Sequence, residues 1–147
     1  MSISQDELKQ QVANAAIDYV KSGIIGGGSG STANYFIDAL AQIKHKIDGA
    51  VASSEATADK LRAHGIEVFD LNDIHGMDIY VDGADEVTDL GREKFALKGR
   101  GYDLIREKLL ACTSDRFVII GDQSKIVKSI GDNFPIPIEI SPIAWRI

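Results

Sequence analysis

The sequence predicts an α/β fold in which a doubly wound, mostly parallel sheet carries helices on both faces. The first supporting observation is an alternation along the chain of short apolar runs with segments whose apolar residues recur every three or four positions. Such runs are typical of buried strands, and such segments of amphipathic helices. The second is a glycine-rich loop at 26–32 that joins an apolar run directly to a helical segment. Strands alternating with helices favour a parallel sheet, and 147 residues suffice for its core.

The first helix is predicted to begin at a capping box, in which the Ser4 hydroxyl precedes Glu7 by three residues. Its apolar face follows at helical spacing: Leu8, Val12, Ala15, Ala16 and Tyr19. The serine and glycine at 22–23 end this helix, because glycine readily adopts the conformation that follows a helix. The isoleucines at 24–25 then form a short strand that runs into the glycine-rich loop.

Two helices and one strand are predicted after this loop. The apolar residues of the next helix run from 33 to 43, and 49–52 is a short strand. A serine at 53–54 caps the third helix, which extends through Leu61 and stops at Gly65.

The second half of the chain continues the alternation. Three further strands are predicted, at 66–69, 77–81 and 116–121. The strand that ends at residue 81 leads into an acidic turn at 82–86. Residues 88–102 have little apolar periodicity and are predicted to be irregular, whereas 103–112 is predicted to be a helix that Asp103 caps.

The composition excludes several classes of protein. With 16 Lys and Arg against 22 Asp and Glu, the formal net charge is −6, the wrong sign for a protein that tracks nucleic-acid phosphates. No apolar run approaches the length of a membrane span, and the first residues lack the basic start and apolar core of a signal peptide. We therefore expect a cytoplasmic protein with no nucleic-acid or membrane partner. The single cysteine, Cys112, lies in an apolar run and is predicted to be a buried, inert thiol.

The glycine-rich loop has the composition of a phosphate-binding site. Glycines let the backbone approach a ligand closely, and the start of the following helix offers free N–H groups. Ser29, Ser31 and Thr32 add hydroxyl groups beside Gly30. The loop lacks the Gly-Lys-Ser/Thr of a P-loop and the last glycine of a dinucleotide-binding fingerprint. The alternative interpretation is a turn that only connects a strand to a helix.

The acidic turn at 82–86 lies at the end of a predicted strand, where α/β sheets bind their ligands. Carboxylates such as Asp82 and Asp85 can orient hydroxyl groups or move protons there. No His or Cys lies beside them in the sequence, so we expect no transition-metal site. The alternative is a solvated acidic turn without a function.

The third candidate is a basic, glycine-containing turn at 98–101, followed by Arg106-Glu107-Lys108. The predicted irregular connection around it is long for a compact domain, and long ordered loops are usually functional. A lysine and a glutamate at one rim suit proton abstraction beside a carbonyl, with Lys98 stabilising the oxyanion and Glu107 taking the proton. The alternative for the Arg-Glu-Lys triplet is an ordinary charged helix face.

Together, four motifs resemble ribose-5-phosphate isomerases of type A. In chain order they are Gly28-Ser29-Gly30-Ser31-Thr32-Ala33, Tyr80-Val81-Asp82-Gly83-Ala84-Asp85-Glu86, Lys98-Gly99-Arg100-Gly101 with Arg106-Glu107-Lys108, and Asp122-Gln123-Ser124-Lys125. Each is weak alone, but four in register across essentially the whole chain indicate kinship. The resemblance implies a Rossmann-like domain that interconverts ribose 5-phosphate and ribulose 5-phosphate in the non-oxidative pentose phosphate pathway. It also implies a homodimer that uses no metal or organic cofactor.

The resemblance further implies roles for individual residues. Glu107 is the base that carries a proton between C2 and C1 through an enediol, and Lys98 stabilises the enediolate. Asp82 and Asp85 hold sugar hydroxyls and assist ring opening, which completes the expected catalytic set. The expected substrate-binding residues are Ser29, Gly30, Ser31, Thr32, Gly83, Ala84, Gly99, Arg100, Gly101 and Lys125.

The turn after Lys98 departs from the family pattern. The family usually has a run of glycine and alanine there, whereas this chain has Arg100, Tyr102 and Asp103. If Arg100 occupies a position of positive φ, its side chain costs on the order of 1 kcal/mol. These three side chains could also crowd the sugar or pair with Glu107 and change its basicity.

The chain is also shorter than the family's proteins, which continue into a small lid domain. We therefore expect an α/β catalytic domain at 1–130 and the start of a truncated second domain at 131–147. The apolar residues of that second segment could form a contact surface or pack on the chain's own core: Ile138, Ile140, Ile143, Trp145 and Ile147. The alternative function is a non-catalytic sugar-phosphate-binding domain or a degenerate remnant of the same fold, and a nucleotide-binding module is a more distant possibility.

Overall fold

The structure is a computed structural model that describes residues 3–90 and 93–146, so Ile147 of the predicted second segment lies outside the described residues. Within these residues the chain forms four α-helices: Gln5–Ile17 (α1), Ser31–Gln42 (α2), Glu55–Ala63 (α3) and Leu104–Thr113 (α4). The described part also forms six strands: Ile24–Gly27 (β1), Gly49–Ala52 (β2), Ile79–Gly83 (β3), Glu86–Leu90 (β4), Glu93–Leu97 (β5) and Phe117–Ile120 (β6).

Four parallel strands form the main sheet in the order β2–β1–β3–β6. Strand β1 pairs on both sides, with Ile25 opposite Ala50 of β2 and opposite Ile79 of β3. The predicted fold class is confirmed. The chain passes from β1 to β2 on one side and later crosses to β3 on the other, so the strand order reverses between β1 and β3. In such sheets the crevice at the carboxyl ends of these two strands binds ligands.

Apolar clusters cover both faces of the sheet, because successive side chains of a strand point to opposite sides. On one face, Phe36 and Leu40 of α2 pack with Val81 of β3 and with α1. On the other face, Leu110 of α4 packs in a cluster with Tyr80, the neighbour of Val81 along β3. Burial of each such side chain stabilises the fold by roughly 1.5–3 kcal/mol.

The predicted start of α1 is confirmed, but its predicted apolar face is partly wrong. Ser4 and Glu7 form the capping box, with the Glu7 N–H donating to Ser4 Oγ at 3.2 Å. The helix ends at Ile17 rather than at 22–23. Tyr19 therefore lies beyond the helix and is 52% exposed, while the buried helical positions are Ala13 and Ala16. Ala15 of the predicted face is exposed.

The strand predicted at 66–69 is reduced to one parallel bridge, between Val68 and Ala50 of β2. The Ala50 N–H donates to Glu67 O and the Phe69 N–H donates to Ala50 O, both at 2.8 Å. The pairing stops there because the chain turns away into a 3-10 turn at Leu71–Asp73.

The segment predicted to be irregular contains the antiparallel hairpin of β4 and β5, so that prediction is wrong for 88–97; positions 91–92 lie outside the described residues. The prediction failed because residues 93–96 of β5 are exposed, which leaves no alternation of apolar and polar residues to recognise. Glu86 lies opposite Leu97 in the hairpin register. The hairpin thereby brings the residue that follows, Lys98, back to the end of β3.

Cys112 is exposed, which contradicts the prediction of a buried thiol. Helix α4 lies on one face of the sheet and buries Glu107 and Leu110, which are three positions apart. The helix positions between these two residues face outward, and Leu109 is 49% exposed. None of the helices in the described part is long and apolar enough to cross a membrane.

Residues 131–146 form a single 3-10 turn, Pro142–Ala144, among the residues described. The apolar side chains of this segment do not pack on the core, since Ile138, Ile143 and Trp145 are 79%, 91% and 63% exposed. The division of the chain at residue 130 stays a prediction.

Candidate active site

A cavity of about 320 Å³ opens at the carboxyl ends of β1 and β3, where the strand order reverses. The structure brings every predicted site residue except Asp82 into its wall. The lining residues are Ser29, Gly30, Ser31, Thr32, Gly83, Ala84, Asp85, Lys98, Gly99, Arg100, Gly101, Glu107 and Lys125. Asp82 is completely buried behind this wall, in contact with Ser29, Gly83 and Lys98.

The loop after β1 is held against the end of β3. The Gly28 N–H donates to Val81 O at 2.9 Å. A Cβ atom at Gly28 would lie 2.0 Å from Oδ1 of Asp82, so only glycine fits this approach. Gly30, with φ of 94°, begins α2 without a side-chain cap. The first amides of α2 therefore have no intrahelical acceptor and can donate to an anion.

Asp82 is saturated with hydrogen-bond donors. Its Oδ1 accepts from the backbone N–H groups of Ser29 at 3.2 Å and Gly83 at 2.7 Å. Its Oδ2 accepts from the Tyr80 hydroxyl and contacts Lys98 Nζ at 2.8 Å. Burial, together with the charge of Asp82, raises the pKa of Tyr80 far above its ordinary value, so the phenol keeps the proton that it donates.

Lys98 joins the two carboxylates of the site. Its Nζ donates to Gly83 O at 2.5 Å and lies 2.8 Å from Oδ2 of Asp82 and 3.6 Å from Oε1 of Glu107. The hairpin register fixes this position, because the Asp85 N–H donates to Leu97 O at 2.8 Å immediately before Lys98.

Glu107 lies in the first turn of α4 and is 7% exposed. Its Oε1 accepts from the Ser29 hydroxyl at 3.5 Å, whereas its buried Oε2 has no hydrogen-bond partner among the described residues. Burial raises the pKa of Glu107; Lys98 opposes the rise and the charge of Asp82 adds to it. A buried carboxylate with one free oxygen and a raised pKa has the properties of a general base.

The turn after Lys98 is held by Asp85, whose Oδ2 accepts the Arg100 N–H at 3.2 Å. Positive φ occurs at Gly99 (104°) and Tyr102 (68°) and not at Arg100, so the condition for backbone strain at Arg100 is not met. Tyr102 is 89% exposed and leaves the cavity free. The Arg100 guanidinium packs on the Phe134 ring at 4.4 Å, away from Glu107.

Asp103 does not pair with Glu107 through its side chain. It precedes α4, where its backbone oxygen accepts the Glu107 N–H at 2.9 Å, and its side chain makes no capping bond. The predicted start of this helix is therefore confirmed, and the predicted side-chain cap is wrong.

Lys125 lines the cavity from a 3-10 turn at Gln123–Lys125. Asp122 caps this turn by accepting the Ser124 N–H at 2.8 Å. Hydrogen bonds from Ser124 hold the pKa of Asp122 below its ordinary value, which keeps the capping carboxylate ionised.

Three residues that support the site were not predicted from the sequence: Tyr80, Glu86 and Phe134. Tyr80 could have been found, since it precedes Asp82 by two positions on a strand and so shares its face. Glu86 lies in the acidic turn that was interpreted as solvated or substrate-binding, and it is completely buried. No sequence signal distinguishes it from its acidic neighbours.

The residues described contain no group of three His, Cys, Asp or Glu side chains that could hold a metal ion. The arrangement instead combines free helix amides, two buried carboxylates and a lysine that joins them. The fold and the site thus define an α/β domain with a cavity at the carboxyl edge of its sheet that suits a small polar or anionic ligand.

Comparison with known proteins identifies the family. The family model described as ribose 5-phosphate isomerase A (phosphoriboisomerase A) matches residues 49–147, and the chain belongs to this family. A solved structure of ribose 5-phosphate isomerase A from Neisseria gonorrhoeae is 41% identical over 87% of this chain and 56% of that chain, with a TM-score of 0.80. The isomerase structure from Methanocaldococcus jannaschii is 35% identical over 97% of this chain and 64% of that chain, with a TM-score of 0.88.

The ribose 5-phosphate isomerase structure from Plasmodium falciparum is 37% identical over 84% of this chain and 54% of that chain, with a TM-score of 0.75. The chain therefore spans between 54% and 64% of the length of these three structures.

Proposed function

We propose that this chain is an aldose–ketose isomerase that interconverts D-ribose 5-phosphate and D-ribulose 5-phosphate through an enediol. Membership of the ribose 5-phosphate isomerase A family supports the reaction and the substrate. The observation that carries the proposal is the buried Oε2 of Glu107, which has no partner among the described residues and belongs to a side chain that lines the cavity. A carboxylate in this state is ready to accept a proton from a bound carbon acid.

In this mechanism Glu107 removes the proton from C2 of the open-chain aldose, and the electrons move onto the C1 carbonyl oxygen. Lys98 and the amides of the turn at 99–101 stabilise the resulting enediolate charge. Glu107 then returns the proton to C1, and transfer of the C2 hydroxyl proton to the oxygen on C1 gives the ketose. The reaction is a redistribution of protons and electrons within one molecule, so it needs no redox cofactor.

Asp85 lines the cavity, and we assign it to holding the sugar and assisting ring opening. Asp82 was expected to share this role, but it is completely buried behind the wall, and we assign it instead to positioning Lys98, whose Nζ lies 2.8 Å from its Oδ2. Ser29, Ser31 and Thr32 line the same cavity beside the free amides of α2, which suits the phosphate group.

The setting of the reaction is also part of the proposal. The family supports a role in the pentose phosphate pathway, and we place the enzyme in its non-oxidative branch, as a cytoplasmic homodimer. The lone cysteine agrees with a reducing compartment. Light scattering of the purified chain tests the oligomeric state directly.

A coupled assay for ribulose 5-phosphate, run with the wild-type chain and with Glu107→Gln, tests the proposal. Glutamine keeps the shape of the side chain and cannot accept the proton. We expect kcat to fall by about 10²–10⁴-fold while ribose 5-phosphate still raises the melting temperature. Glu139→Gln makes the same chemical change at an exposed position and should leave turnover unchanged. Full turnover by Glu107→Gln would remove Glu107 from the base role.

The alternative is a domain that binds sugar phosphates without turning them over. It is favoured by Arg100, a bulky side chain that lines the cavity at a position where small residues are expected. Under this alternative ribose 5-phosphate stabilises the wild-type chain, but the wild-type chain forms no ketose.

A further inference from the structure

The mechanism above leaves one completely buried carboxylate without a role, that of Glu86 at the start of β4. Its two oxygens accept three backbone N–H groups from one segment of the chain. Gly131 N donates at 2.6 Å, Asn133 N at 2.6 Å and Phe134 N at 3.0 Å. A buried charge with three charge-assisted hydrogen bonds holds that segment firmly in place.

The held segment presents Phe134 to two cations of the cavity wall. The Arg100 guanidinium carbon lies 4.4 Å from the centre of the Phe134 ring, and Lys125 Nζ lies 6.0 Å from it. Both cations line the cavity, and Phe134 is not among the lining residues. Phe134 therefore acts behind the wall, on residues that a ligand would touch.

These two cations differ from Lys98, the third cation of the cavity. Lys98 is engaged by Asp82 and Glu107. Among residues 3–90 and 93–146, neither Arg100 nor Lys125 takes part in an ion pair within 4.0 Å. Their charges are thus available to an anion, and the shared aromatic face restricts where two long, flexible side chains can go.

We propose that Phe134, anchored by Glu86, is a positioning residue that holds Arg100 and Lys125 as a paired cationic subsite for the phosphate group of the substrate. The subsite lines the same cavity as the residues that begin α2. This subsite would make the cavity selective, so that it binds phosphorylated sugars in preference to neutral ones. This inference rests on the proposed function for the identity of the sugar and not for the binding of the anion.

The test is calorimetric titration of the full chain with ribose 5-phosphate and, separately, with inorganic phosphate. Phe134→Leu keeps an apolar side chain of similar size and removes the aromatic face. We expect it to weaken binding of both ligands by about 3–10-fold, the range that ordering one long side chain on binding predicts. Phe134→Tyr restores the face and should recover most of the affinity. Phe95→Leu, at an exposed aromatic residue outside the cavity wall, is the matched control.

A double-mutant cycle with Arg100→Gln shows whether Phe134 acts through the cation. If it does, Phe134→Leu has a smaller effect in the Arg100→Gln background than in the wild type. In the isomerase assay the larger part of the change should fall on KM rather than on kcat, whereas general loosening of the fold lowers the amount of active protein and leaves KM unchanged. Should Phe134→Leu fail to fold, Glu86→Gln replaces it in the same titrations, with the same expected loss.

The outcomes separate this inference from the proposed function. A wild-type chain that binds phosphate and forms no ketose overturns the isomerase proposal and leaves the cation subsite standing if Phe134→Leu binds more weakly. Equal affinity of wild type and Phe134→Leu overturns the subsite while turnover proceeds. A wild-type chain that binds neither ligand overturns both.

Discussion

Two buried glutamates lie on either side of the turn at 98–101, and their surroundings are opposite. Glu86 receives three backbone N–H groups and has both oxygens occupied. Glu107 receives one weak hydroxyl contact at 3.5 Å and keeps its Oε2 without a partner in the described part of the chain. Both side chains are removed from solvent, and they differ in their hydrogen bonds and, at Glu107, in the neighbouring charges of Lys98 and Asp82.

The pKa values of the two groups follow that difference. Burial alone raises the pKa of a carboxyl group, but at Glu86 the three backbone donors outweigh burial and the pKa is lowered. At Glu107 burial prevails over Lys98, and the pKa is raised. A carboxylate that the backbone saturates can hold a segment in place, whereas one that lacks donors is available for proton transfer.

A large loss of turnover is expected when the cation of the site is removed. Lys98→Met eliminates the ammonium group that joins Asp82 and Glu107, and with it the charge that would stabilise an enediolate. We expect kcat for ribulose 5-phosphate formation to fall by about 10²–10³-fold. Lys94→Met makes the same change at an exposed position of β5 and should retain activity. Comparable turnover in the two variants would contradict the role of Lys98.

Replacing Glu86, which anchors the segment at 131–134, should lower the stability of the fold. Glu86→Gln replaces two acceptor oxygens by one and turns an amide NH₂ toward backbone donors, so we expect the melting temperature to fall by roughly 5 °C near neutral pH. The folded-state pKa of Glu86 lies below its ordinary value near 4.5, so the carboxylate stabilises the fold above that pH. This advantage is lost as pH falls through the folded-state pKa.

Thermal melts of wild type and Glu86→Gln across an acidic pH series measure this change. The gap in melting temperature should narrow toward low pH. Glu139→Gln serves as the exposed control and should show no such trend. A gap that stays constant with pH would mean that the charge of Glu86 adds nothing to the three hydrogen bonds.

The same substitution at the other glutamate, Glu107→Gln, should raise the melting temperature rather than lower it. The folded-state pKa of Glu107 is raised, so ionising this side chain in the folded protein costs free energy, and the wild type loses stability as pH rises through that pKa. Glu107→Gln removes the cost. We expect its melting temperature to gain a few degrees on the wild type between acidic and slightly alkaline pH. A variant that loses stability relative to the wild type over this range would show that Lys98 already compensates the charge.

The two glutamates also show which site residues could be predicted from the sequence and which could not. Glu107 was expected in the site because its Arg-Glu-Lys triplet stands in register with three other motifs, and because parallel sheets bind ligands at one edge. It lines the cavity, and its role as the base stays a prediction. The order of strands and helices up to Val81 followed from apolar periodicity, except that the strand predicted at 66–69 is reduced to one bridge. These inferences use local pattern and a general rule of topology.

Glu86 could not be interpreted this way, because its partners are backbone N–H groups more than forty positions away. The hairpin of β4 and β5 was missed for a related reason. Its side chains at 93–96 are exposed, so the pairing rests on backbone hydrogen bonds that leave no trace in the residue types. The prediction for Cys112 is wrong because an apolar run in the sequence does not show which of its residues face outward, and α4 buries only one face.

The smallest expected effect concerns the backbone of the two regions. Each contains a residue with positive φ: Gly131, at 97°, in the anchor held by Glu86, and Tyr102, at 68°, in the turn beside Glu107. Glycine adopts this conformation freely, whereas a side chain costs about 1–2 kcal/mol. Tyr102→Gly should therefore stabilise the chain by about 0.5–1 kcal/mol, since the tyrosine is 89% exposed and little packing is lost.

Gly131→Ala should destabilise the chain by about 1 kcal/mol through backbone strain alone, because the nearest atom to the added Cβ lies 4.0 Å away. Urea unfolding measures both values, and equal signs for the two variants would show that packing, not backbone strain, decides these positions.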